Sequence, residues 1–189
     1  MVQQNNFKKI KKNDALDILD RTITFVNSCD TKASVVIGIS GVLLTILSSN
    51  ERVTEIKSII KSAIGSDKWY GVLYLGILVC VVIVGVFGIV KLLQVLFPKI
   101  NCDELNQEGI ELNSKIFFGG ICKNSTYNQY KEKVMNYNED EYLNDIISQI
   151  YLNSIICERK FKNFKVGVAA TFLGFLSFFV VLIVGKILY

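Results

Sequence analysis

Enzymatic proton transfer and metal binding most often use histidine, and this 189-residue chain has none. No GxSxG, P-loop or GxGxxG sequence is present either, so the usual frames for acyl or phosphoryl transfer and for dinucleotide binding are missing. The one acidic cluster, Glu139, Asp140 and Glu141, has the residue types for a metal or acid site. Three consecutive acids at a helix start are more often partners of the helix dipole, and that is the reading adopted. Cys29, Cys80, Cys102, Cys122 and Cys157 contain no C-x-x-C pair, and Cys80 lies in an apolar run, which points to small reduced thiols rather than zinc ligands or a disulfide framework. The Asn124-Ser125-Thr126 sequon carries no meaning in a region facing a bacterial-type cytoplasm. The sequence predicts no enzyme, metal or cofactor.

The elements that carry these residues are organised by the bilayer. Gly71 to Val90 is twenty residues without a charge, the length a helix needs to cross about 30 Å of hydrocarbon. Trp69, Tyr70 and Tyr74 open this span as interface anchors, Lys91 follows it, and Pro98 marks a stop, giving a segment of about 70–97. Val166 to Gly185 is a second uncharged twenty-residue run, with Lys186 left to snorkel, so that the last span covers about 166–188. Ala33 to Ser49 is shorter and holds five serines and threonines, but reads as a third span. The fold class is therefore all-α, a single membrane domain over 1–189 with spans at about 33–49, 70–97 and 166–188.

Outside the bilayer, Ala15, Leu16, Ile18, Leu19, Ile23, Phe25 and Val26 recur at helical spacing behind a basic cluster of Lys8, Lys9, Lys11 and Lys12. Asn13 or Asp14 is the predicted cap, and without a breaker the helix continues to Ser49, about 54 Å at 1.5 Å per residue. Residues 50–68 form a polar, partly helical connector ending near Gly65. Residues 99–165 form the main water-facing region, with a helix over Ser125–Met135 and a longer one opening at Asn138 or Glu139. That last helix meets no glycine or proline before Gly167 and runs into the membrane, about 75 Å to Leu188. The N-terminal tail and the 99–165 region carry six and nine Lys or Arg, against four in the connector, which puts both on the cytoplasmic side. A net charge of +4 spread over a chain with mean hydropathy +0.39 suits anionic headgroups better than a nucleic-acid groove. The N-terminus has no apolar run behind its lysines and is not read as a signal peptide.

Small residues line two spans. Gly167, Ala170, Thr171, Gly174 and Ser177 share one face of the last, and Ser34, Gly38, Gly41 and Thr45 one face of the first. Such faces allow close backbone approach, either within one chain or between copies in a homo-oligomer. Asp30 and Lys32, at the edge of the first span, are placed to pair with Arg159 or Lys160 ahead of the last, or to remain solvated.

Asn27-x-x-Asp30-x-Lys32-Ala33 before the first span, Phe117-Phe118-Gly119 in the central region, Tyr142-Leu143-Asn144-Asp145-x-x-x-Gln149-Ile150, and Arg159-Lys160 before the last span occur in an order that resembles the Pycsar transmembrane effector family. The likeness covers roughly Ala15 to Leu188. In such bacterial systems a pyrimidine cyclase makes cyclic UMP or cyclic CMP on phage infection, and the membrane effector responds by impairing the inner membrane in abortive infection. The resemblance thus implies an anti-phage role, a functionally paired cyclase, and the inner membrane as location. A cyclic nucleotide carries one negative phosphate and a stackable base, which makes Phe117, Phe118, Gly119, Arg159 and Lys160 the ligand candidates; headgroup contact is the other reading of the two cations. Asp30, Lys32, Gln149 and Gly174 are the structural or coupling candidates. A two-helix effector of another nucleotide-signalling defence system, and a membrane scaffold or small channel subunit without a nucleotide ligand, are the alternatives.

Overall fold

A long helix, α1 (Lys12–Leu47), begins the computed structural model, which describes residues 10–66, 69–97, 107–111 and 113–189. The Lys11 carbonyl already accepts the Ala15 N–H at 3.1 Å, so the helix starts ahead of Asn13 and Asp14 and neither is its cap. Asp14 sits in the first turn instead, where its charge suits the dipole. The hydroxyls of α1 do not oppose burial in lipid. Ser40 and Thr45, with Ser48 just past the end of the helix, each donate to the carbonyl four residues back, at 2.8, 3.0 and 2.8 Å, which satisfies these hydroxyls locally.

The connector is helical over α2 (Asn50–Gly65), which ends at Gly65 as its sequence suggests. Ile59 and Ala63 are buried against Tyr74, with Leu75, Val181 and Tyr189 packed around them. Glu55 accepts from Arg52 at 2.9 Å and from Lys186 at 2.7 Å, which ties the outer face of α2 to the end of the last span. A Cβ on Gly71 would meet the Ala63 carbonyl at 2.5 Å, so the turn into the next helix needs glycine there. The central span, α3 (Trp69–Leu96), ends two residues before the only proline, as the restriction on the residue preceding proline requires. Pro98 itself, with Lys8, Lys9 and Cys102, lies outside the described residues.

Three short or long helices follow: α4 (Phe118–Ile121), α5 (Tyr127–Met135) and α6 (Glu139–Leu188), the last 50 residues long. Thr126 caps α5 by accepting the Gln129 N–H. Asn138 caps α6 by accepting the Glu141 N–H at 2.8 Å, and the three acids occupy its first turn. No strand occurs among the described residues. Three helices, α1, α3 and α6, are long and apolar enough to cross a membrane.

The contacts group into two units. One comprises Cys29–Pro98 with Arg159–Tyr189, the other Met1–Ser28 with Lys99–Glu158, and α1 and α6 contribute residues to both. In the first, Cys29, Ala33, Leu92 and Val95 are fully buried, with Phe164 and Val168 against them, so all three spanning helices meet in one core. Helices α3 and α6 approach closely: a Cβ on Gly174 would lie 2.5 Å from the Cα of Gly85, and one on Gly167 would lie 2.9 Å from Leu92 Cγ. The small-residue face of α6 is thus used within the chain. On α1, nothing lies within 4 Å of a Cβ at Gly38 or Gly41. Val72, Val79, Ile83, Phe172, Leu173 and Val180 are exposed, which is the surface a hydrocarbon solvent requires.

Candidate functional site

The polar chemistry of the chain concentrates in the unit built from Met1–Ser28 and Lys99–Glu158. Its centre is Asp145, which α6 places at zero exposure. One carboxylate oxygen, Oδ2, accepts the Lys115 backbone N–H at 2.8 Å and the Tyr137 hydroxyl at 2.7 Å. A turn further on, Ser148 Oγ accepts the Glu111 N–H at 3.1 Å. These side chains of one rigid helix thereby hold an irregular segment that has no secondary structure to satisfy its own backbone. Ser114 Oγ accepts the N–H groups of Ile116 and Phe117, and the Tyr130 hydroxyl on α5 donates to the Lys115 carbonyl at 3.1 Å. Gly120 packs against the Ser114 backbone so tightly that a Cβ there would collide with the Ser114 carbonyl.

Burial, followed by the hydrogen bond to Asp145, raises the Tyr137 phenol well above its ordinary range, so it remains a protonated donor at any physiological pH. Two ammonium groups stand over tyrosine rings here. Lys115 Nζ is 3.8 Å from the Tyr137 centroid and 3.4 Å from a Glu141 oxygen, and Lys12 Nζ is 4.4 Å from the Tyr142 centroid. The Tyr137 and Tyr142 rings meet edge to face, with centroids 5.7 Å apart. Between them opens a cleft of about 380 Å³ whose lining includes Lys12, Lys115, Tyr130, Tyr137, Glu139 and Tyr142. Ring faces and ammonium groups of this kind interact through cation–π and charge-assisted contacts.

The Phe117 and Phe118 rings meet tilted at 50° with centroids 4.5 Å apart, both exposed, with Gly119 close enough that a Cβ would meet the Phe117 ring at 3.2 Å. Gln149 is buried on α6, and its carbonyl accepts from Asn153. These residues belong to the same unit as the cleft. Arg159, Lys160, Asp30, Lys32 and Gly174 belong to the other unit. There Lys160 is buried, its side chain only 5% exposed, and its ammonium donates to Asp30 at 2.5 Å. The structure therefore brings together Asp30 and Lys160, whereas Lys32 is exposed and Arg159 is half-buried. Sequence reasoning had no route to the Lys12, Lys115, Tyr130 and Tyr137 grouping, because residues from three distant segments meet only in the fold; a tyrosine recurring at 130, 137 and 142 was the available signal.

The sequence model of the Pycsar effector protein domain matches residues 14–185, a range that takes in most of both units and most of each of the three spanning helices. Pycsar effector protein GmPycTM of Gulbenkiania mobilis is 29% identical over 177 residues, a stretch that covers 89% of this chain and 90% of that protein. No solved structure matches the chain.

Proposed function

This chain belongs to the Pycsar effector family, and on that premise we propose that it impairs the inner membrane when cyclic UMP or cyclic CMP reaches it during phage infection. Membership makes it a transmembrane effector of anti-phage defence. The finer reading rests chiefly on the match over 14–185, which takes in most of both units. A ligand changes a membrane assembly only by binding one arrangement of its helices more tightly than another. Helices α1 and α6, with residues in both units, are the elements through which such a preference can pass.

Within this reading the N-terminus and residues 99–165 face the cytoplasm, where the nucleotide is made by a partner pyrimidine cyclase. Phe117, Phe118 and Gly119 remain candidates for contact with the messenger, and Arg159, in the other unit, is a separate candidate. Lys160, already neutralised by Asp30, acts as a structural cation at the membrane edge, with Lys32 facing headgroups. Gln149 and Gly174 lie along α6 as coupling positions, and the uncovered Gly38 and Gly41 of α1 give copies of the chain a face for close association. Expression in bacteria with and without a pyrimidine cyclase, while membrane potential is followed, tests the proposal. Depolarisation is expected only when both proteins are present, and depolarisation indifferent to the cyclase would sink the nucleotide-gated reading.

A further inference from the structure

The cleft among α1, α5 and α6 has a composition that the packing of a helical bundle does not need. Its volume of about 380 Å³ falls in the roughly 300–1,000 Å³ range of small-molecule sites. Two ammonium groups rest on ring faces, one of them at exposed Lys12. An exposed ammonium over a ring is held weakly, and a phosphate oxygen offers it a stronger, charge-assisted partner. Transfer of the ammonium to an anion also uncovers the ring face, on which a flat base can then stack. Charge sets the ligand's upper limit. Glu139 on the lining and Glu141, 3.4 Å from Lys115 Nζ, oppose the two lysines, so a single negative charge is accommodated while a polyphosphate is repelled.

The cleft also has a route to the long helix. Lys115 and Tyr137, which line it, both bond to Oδ2 of the fully buried Asp145 on α6. Its other oxygen, Oδ1, is buried and has no hydrogen-bond partner among the described residues. A buried carboxylate with so few partners is sensitive to any displacement of those it has. We propose that this cleft binds a small, singly charged anion bearing a flat ring, a cyclic nucleotide monophosphate in chemical class, and that Asp145 acts as the positioning residue that passes occupancy to α6. The assignment rests on the effector reading above and gives it a site.

The test uses the full chain in lipid nanodiscs, titrated calorimetrically with cyclic UMP, cyclic CMP, UTP, uridine and inorganic phosphate. One cyclic nucleotide binds, and UTP, uridine and phosphate each bind at least about tenfold more weakly, UTP because Glu139 and Glu141 repel its added charge and the other two through the loss of one charge-assisted contact or one stacked ring. Lys12→Met, which alters only an exposed first-turn side chain, and Lys115→Met each weaken binding by about tenfold. Lys61→Met on α2 leaves it unchanged. Tyr137→Phe keeps the ring and the affinity within about threefold but abolishes the ligand-dependent change in amide exchange over residues 139–158, a readout that a merely structural role would not move. Binding unaffected by both lysine variants overturns the site while leaving the effector reading to stand on depolarisation in cells. Failure of the wild-type chain to bind either cyclic nucleotide overturns the site as well, and cyclase-dependent depolarisation then decides the effector reading separately.

Discussion

Asp30→Asn is the substitution whose cost follows most directly from the structure. It preserves the shape of the side chain and removes its charge, leaving the Lys160 ammonium buried at 5% exposure with its anion gone. Breaking one partner of a buried pair costs about 3–5 kcal/mol, and the lower end applies because Asp30 is 34% exposed and water can compensate in part. About 3 kcal/mol corresponds to a fall in Tm of roughly 6–12 °C for a chain of this length. Thermal unfolding in nanodiscs, followed by near-ultraviolet circular dichroism, measures it. The double variant Asp30→Asn/Lys160→Met removes both charges and keeps the lysine stem's volume, so it regains most of the loss. A fall under about 2 °C for the single variant, or a double variant no more stable than the single, would refute the claim that this pair pins α1 to α6 at the membrane edge.

Gly174→Leu forces a branched side chain onto Gly85 and lowers stability by roughly 1–3 kcal/mol or more, whereas Phe175→Leu, one position round the helix, is tolerated; equal melting of the two variants would remove the close α3–α6 contact from the account. The hydrogen bond from Lys186, then that from Arg52, holds the Glu55 carboxyl below its ordinary 4.5. A lowered folded-state pKa means the contribution is present above about pH 4.5 and lost as pH falls through the folded value, so acidification below that point lowers the Tm of wild type more than that of Glu55→Gln. In intact cells an impermeant thiol reagent labels Ser62→Cys on α2 and spares Cys122, and the reverse pattern would invert the proposed topology.

The spanning helices were legible because length and uninterrupted hydropathy suffice to identify them. The sequence places the first long helix at about Asp14–Ser49 and the last at Glu139–Leu188, against α1 at Lys12–Leu47 and α6 at Glu139–Leu188. The α6 start was readable from Asn138, whose cap is local; the α1 start was not, because Lys11 extends the helix past both polar residues chosen as caps. The continuous helix over Asn50–Gly65 is supported by Ile59 and Ala63 meeting Tyr74, and by Lys186 reaching Glu55 from 131 residues away. The Asp30–Lys160 pair is one of several arrangements the sequence leaves open, because Asp30 could pair with Arg159 or Lys160 or stay solvated, and only the fold selects Lys160. The polar unit was not legible. Glu111 and Lys115 are held by Ser148, Asp145 and Tyr130 rather than by any helix of their own, so no local periodicity describes them, and the cleft that Lys115 lines has no signature along the chain.

Purified protein reconstituted in liposomes, with a potassium gradient and a potential-sensitive dye, tests the central claim without other cellular components. The account predicts that the potential holds in the presence of protein alone and collapses when cyclic UMP or cyclic CMP is added, with UTP and uridine inactive. Collapse without nucleotide, or a potential that survives saturating amounts of both cyclic nucleotides, would contradict it.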